Sequence, residues 1–138
     1  TIEATHHGPT ALGKPTIFIE IGTTEKQWTD VSLCNSVARL VHDVMTENVS
    51  PSPVAICFGG THYPEKFTKE LLDGKFALGT VVPKHALDNI DQDLFLHILE
   101  QNKMAKTVFL DWGGLGSNKQ RLIGFLNNTN LEVIKLWI

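Results

Sequence analysis

No stretch of this sequence approaches the roughly 20 consecutive apolar residues that a membrane-spanning helix needs, which excludes that class of membrane protein. No basic-then-apolar secretory leader is read at its start. Cysteine is scarce: Cys34 and Cys57 are the only two. Cys34 falls in a helical pattern and Cys57 in an apolar strand pattern, so both read as reduced core residues of an intracellular, cytoplasmic protein. Positive charge is in short supply as well, with 12 Lys and Arg against 15 Asp and Glu and a net charge of −3. A protein that grips nucleic acid mainly through phosphates carries a basic surface. Any RNA contact here is therefore expected to be local, such as a chain end entering a pocket. The Gly-x-Gly-x-x-Gly and phosphate-loop lysine fingerprints are absent, which argues against a nucleotide-binding loop. No Gly-x-Ser-x-Gly elbow is present, which disfavours a serine hydrolase. His-Glu-x-x-His and the local ligand spacing of structural zinc sites are missing too.

What is present suits one globular α/β domain over residues 1–138, with 42% hydrophobic and 20% charged residues. The chain opens Thr1-Ile2-Glu3-Ala4 without Met, and His6-His7 follow almost at once. Termini tend to fray, so a chemically rich motif this early reads as the start of a fragment. Residues 16–22 form an apolar run after Pro15 and predict a buried strand. Thr24 to Gln27 fits a capping box, and Cys34, Val37, Ala38, Val41, Val44 and Met45 recur at helical spacing. Ser50-Pro51-Ser52-Pro53 must end that helix. Further strands are predicted at 54–58, 76–82, 107–110 and 131–137. Helices are predicted at 65–72, from Asp91 or Asp93 to about Asn102, and from a second capping box at Ser117–Gln120 to about Asn127. Alternating strands and helices imply βαβ units and a mostly parallel sheet flanked by helices. Ligands bind such sheets beyond the carboxyl ends of the strands. Gly22-Thr23, Gly59 to Tyr63, Pro83-Lys84-His85 and Asp111-Trp112-Gly113 all fall just past a predicted strand.

Several residues there could carry chemistry. His6 and His7, with Gly8-Pro9 behind them, offer imidazoles that suit a general base or a zinc ligand; two surface histidines near a terminus is the plainer reading. Glu20 lies inside the strongest apolar run, where an unpaired carboxylate is costly. It is therefore expected to be protonated, paired, metal-bound or held by a histidine, and a structural carboxylate tying down a loop is the alternative. His62 follows Gly59-Gly60-Thr61. Paired glycines permit positive φ and a close backbone approach, and their N–H groups could stabilise an oxyanion. An ordinary tight turn is the competing view. Tyr63 could donate a hydrogen bond or stack on a base, or simply pack in its loop. Lys84 suits a phosphate or carboxylate, or is a solvated charge. Asp111 fits a turn cap better than a ligand. His42 and His97 sit in helical patterns and read as surface residues.

Taken in order, His6-His7-Gly8-Pro9-Thr10, Pro15 to Gly22, Phe58-Gly59-Gly60-Thr61-His62-Tyr63, Val82-Pro83-Lys84-His85-Ala86-Leu87 and Asp111-Trp112 resemble the archaeal and plant D-aminoacyl-tRNA deacylase family, often called the second type. The match runs through most of the chain. Where the family often has three glycines before the histidine and tyrosine, this chain has Gly59-Gly60-Thr61. The resemblance implies a phosphorylase/hydrolase-like α/β fold and a zinc requirement. It also implies an esterase that frees tRNA of D-amino acids, in a protein about twice this length of which this chain would be the C-terminal half. Under that reading His6, His7, Glu20 and His62 are the catalytic candidates, and His7, Glu20 and His62 the metal candidates. Gly59, Gly60, Thr61, Tyr63 and Lys84 would bind substrate. The partner would be the tRNA acceptor end carrying a D-amino acid, met by a monomer. Two rivals stand beside it: another metal-dependent hydrolase of similar fold, acting on peptides or nucleosides, and a tRNA-binding module without catalysis.

Overall fold

A computed structural model describes residues 1–4, 13–14, 16–47 and 52–137. These fall into two compact units, one drawn from Thr1–His6 and Ser52–Ile138 and the other from His7–Pro51.

The first unit is built on a four-stranded sheet of β1 (Val54–Phe58), β2 (Ala77–Val82), β3 (Ala105–Asp111) and β4 (Glu132–Leu136). The spatial order is β2-β1-β3-β4 and every pairing is parallel. Each connection is a crossover containing a helix: α3 (Glu65–Leu72), α4 (Gln92–Gln101) and α5 (Lys119–Leu126). Successive strand residues face opposite sides. Ile56, Phe58, Val108 and Leu110 therefore join Phe95, Ile98, Leu122 and Leu126 in the larger core cluster. Ala55, Cys57 and Phe109 meet Phe67 of α3 on the other face. A parallel sheet buried on both faces explains why its strands read as nearly continuous apolar runs.

The chain winds from β1 outward to β2, then crosses back over β1 to β3 and on to β4. The winding direction reverses between β1 and β3, and a crevice is expected beyond the carboxyl ends of strands at such a point.

The second unit contains α1 (Glu25–Trp28) and α2 (Val31–Thr46). The Gln27 side chain reaches back to the Thr24 N–H and hydroxyl, at 3.0 Å each, as the capping box predicts. The helical pattern breaks at Thr29 and restarts because the Asp30 carboxylate accepts from the N–H groups of Ser32 and Leu33. The strand predicted at residues 16–22 is not formed: this stretch is in no ladder, and Ile17, Phe18 and Ile19 are exposed. An extended apolar segment becomes a strand only when a neighbouring edge takes up its N–H and C=O groups in a ladder. The capping box predicted at Ser117–Gln120 is also absent. A 3₁₀ turn occupies Gly116–Asn118, and the Asn118 amide is engaged instead with Asp88 and Arg121.

Candidate functional site

The loop after β1 turns at Gly59 and Gly60, with φ of 100° and 78°. Side chains at either position would be strained, and there is no room for them. A Cβ on Gly59 would meet Asp111 at 3.1 Å, and one on Gly60 would meet Pro64 at 2.9 Å. Gly114 approaches from the loop after β3, so closely that a Cβ there would lie 2.8 Å from the Gly60 nitrogen. The Gly59 N–H donates to the Val82 carbonyl at 2.8 Å and the Lys84 N–H to the Gly60 carbonyl at 2.9 Å. These contacts lock the loop across the ends of β1, β2 and β3. Neither the Gly60 nor the Thr61 N–H donates to any described residue.

A cleft of about 290 Å³ opens here, lined by Gly60, Thr61, Pro64, Glu65, Lys66, Phe67 and Asp111. It occupies the reversal point between β1 and β3. Lys66 reaches from the first turn of α3 to Asp111 at the end of β3, Nζ to Oδ1 at 2.5 Å. The same carboxylate oxygen accepts from the Gly114 N–H at 3.3 Å. The Asp111 side chain is only 13% exposed and that of Lys66 30%. A largely buried ion pair of this kind is costly to break, because removing one partner strands the other charge.

His62 stands in the loop between the cleft-lining residues Thr61 and Pro64. The segment at residues 1–4 is pinned alongside it. The Ala4 N–H donates to the His62 carbonyl at 2.9 Å, and the Ile2 N–H to the Thr68 hydroxyl at 3.2 Å. Between them Glu3 brings its Oε1 to 2.6 Å from His62 Nε2. The Tyr63 ring packs edge-on against the His62 imidazole, centroids 4.7 Å apart, and remains half exposed. The Thr61 hydroxyl donates to the Tyr63 carbonyl at 2.7 Å, which further fixes the loop.

The sequence-predicted site residues are thus distributed as follows. Gly60 and Thr61 line the cleft, Gly59 shapes it, and His62 and Tyr63 belong to its loop. Lys84 is exposed in a 3₁₀ turn, tied to the loop only by its backbone. Glu20 is exposed in the second unit and outside any strand, so the burial that made it a candidate is not found there. His6 and His7 lie outside the described residues, and with them part of the expected metal set. Among the described residues, no three His, Cys, Asp or Glu side chains form a group able to hold a metal ion. His62 and Glu3 do provide one nitrogen and one oxygen donor side by side.

Sequence reasoning missed Glu3 and Lys66. The only signals available were a carboxylate in the opening segment and a cation in the first turn of the helix after the glycine loop. Asp111 was read as a turn cap; it accepts from the turn and also anchors Lys66.

A family model described as D-aminoacyl-tRNA deacylase matches residues 1–134. The chain is 59% identical over 134 residues to a D-aminoacyl-tRNA deacylase of Cenarchaeum symbiosum, covering 97% of this chain and 52% of that protein. It is 35% identical over 137 residues to one of Methanocaldococcus jannaschii, covering 96% of this chain and 52% of that protein. A crystal structure of a conserved protein of unknown function superposes with a TM-score of 0.86 at 28% identity, covering 96% of this chain and 47% of that one. The chain spans about half the length of the curated relatives it matches.

Proposed function

The chain belongs to the D-aminoacyl-tRNA deacylase family, and from that premise we propose that its cleft hydrolyses the ester joining a D-amino acid to the 3′ end of tRNA. The observation that carries this is the cleft at the sheet's reversal point. Its lining brings together Gly60, Thr61 and the Lys66–Asp111 ion pair, and the loop runs directly on into His62, which Glu3 holds.

In this mechanism His62 takes a proton from water as the water oxygen bonds to the ester carbonyl carbon. The Glu3 carboxylate holds the imidazole in place, as the third member of a triad orients a catalytic histidine. The carbonyl oxygen becomes an oxyanion, held by the N–H groups of Gly60 and Thr61 and by the positive end of Lys66. Collapse breaks the bond to the ribose oxygen, which takes the proton back from His62. An aminoacyl ester is already activated, so this modest apparatus suffices.

Zinc is part of the proposal on the strength of the resemblance. His62 and Glu3 would supply two donors, and the ion would polarise the carbonyl or the water. No step above depends on it. His6 remains a candidate for completing the site, as does Lys84 for holding the substrate's phosphate.

The test is deacylation of D- and L-aminoacyl-tRNA by the full-length protein, with metal analysis of the same preparation. Release of the D-amino acid with the L-ester spared is the expected result. Binding of tRNA without turnover of either ester would replace the enzyme by a binding module. Zinc that falls with His62→Ala supports the metal role, and an active zinc-free protein removes it.

A further inference from the structure

Beside the cleft lies a second groove of about 350 Å³, lined by Lys66, Lys69, Glu70, Lys135, Leu136 and Trp137. It shares Lys66 with the cleft. The Trp112 N–H donates to the Leu136 carbonyl at 3.1 Å, which clamps the ends of β3 and β4 together. Two indoles are thereby made neighbours: the ring centroids of Trp112 and Trp137 are 5.8 Å apart, with the planes tilted by 53°. Lys135 Nζ stands 4.1 Å from the Trp112 ring centroid and Lys119 Nζ 5.1 Å from it. Among the described residues, neither of these lysines has a carboxylate within ion-pair distance. Trp137 is 66% exposed.

An open indole flanked by cations that no described carboxylate pairs matches a ligand that has both π faces and negative charge. Single-stranded nucleic acid is such a ligand: its bases stack on aromatic rings while its phosphates follow a basic track. Lys135 already covers a face of Trp112, so Trp112 acts to hold the two ammonium groups in place by cation–π attraction. That leaves Trp137 as the stacking surface. Glu70 also lines the groove and repels phosphate, which favours a path along Lys135 and on toward Lys119. An acidic peptide would answer to the lysines but has no need of the exposed indole.

We infer that Trp137, with Lys135 and Lys119, seats the unpaired 3′-terminal nucleotides of an RNA and leads its aminoacylated end past Lys66 into the cleft. This rests on the deacylase reading for the identity of the RNA. The groove itself is a single-strand binding surface whatever the chemistry next door.

The experiment measures fluorescence anisotropy of a labelled RNA tetranucleotide ending in cytidine, cytidine and adenosine, titrated with the full-length protein. A glutamate hexapeptide serves as competitor. Trp137→Ala is expected to weaken binding about tenfold or more and Trp137→Phe to restore much of it, because stacking needs a ring and not an indole N–H. Lys135→Gln tests the phosphate track independently and is expected to weaken binding several-fold. Both side chains are exposed, and thermal melts of the variants check that the fold is kept. Wild-type RNA affinity in Trp137→Ala and Lys135→Gln would overturn the inference, as would displacement of the RNA by low concentrations of the peptide. RNA binding that depends on Trp137 in a protein that hydrolyses no D-aminoacyl ester would uphold the groove and sink the deacylase reading. Hydrolysis with an unchanged KM in both variants would do the reverse.

Discussion

At the scale of single residues, the candidate site is a set of pairs that span the chain. His62 and the glycines before it were legible because they are adjacent in sequence and follow an unmistakable strand. Their partners were not. Glu3 meets His62 across 59 residues and Lys66 meets Asp111 across 45, and nothing in local spacing encodes either meeting. Glu20 drew attention because an apolar run surrounds it, but its exposure removes the desolvation argument. Cys57 behaved as expected of a core thiol. Burial pushes its pKa up to about 12, and the Glu70 carboxylate adds to the shift. The thiolate is the reactive form, so Cys57 is expected to resist a thiol reagent at pH 7 to 9 in the native protein and to react on unfolding. Rapid native labelling of Cys57, located by peptide mass mapping, would contradict the burial described.

At the scale of elements, the four strands and α3 were readable because a parallel sheet covered on both faces demands short apolar runs and leaves few alternatives. The same signal misled at residues 16–22. An apolar run states that a segment wants burial and does not say which edge will pair with it. The break between α1 and α2 depended on a single cap, Asp30, within a pattern that looks continuous by hydrophobic spacing alone. The sheet's thinner face gives the sharpest stability test. Phe109 is buried in a small cluster with Phe67, Ala55 and Cys57, and packs edge-on to Phe76 at 5.0 Å between centroids. Replacing it by alanine removes the largest strand residue of that cluster, and Phe109→Ala is expected to cost about 3–5 kcal/mol in urea unfolding. A cost below about 1 kcal/mol would mean that this face is not packed as described.

At the scale of the whole molecule, a net charge of −3 leaves little general attraction for RNA. Lys119 and Lys135 are nonetheless gathered at the carboxyl edge of the sheet, beside Trp112 and Trp137. Two phosphate contacts on a single strand imply a log–log salt slope of about −1.4. Titration of tRNA binding between low and moderate salt is expected to give a shallow slope near that value. A slope several times steeper would show a broad phosphate interface that neither composition nor the described surface supports. The parallel sheet, its reversal between β1 and β3 and the cleft beyond it lead to the central claim, that His62 and Glu3 act as one catalytic unit at that cleft. The most direct measurement is a double-mutant cycle in the full-length protein: single-turnover hydrolysis of D-aminoacyl-tRNA by wild type, His62→Ala, Glu3→Ala and the double variant. Loss of a general base should slow the His62→Ala reaction by about 10²-fold or more, and the double variant should be no slower than that single, because members of one unit fail together. Near-wild-type rates for His62→Ala, or losses that multiply in the double variant, would contradict it.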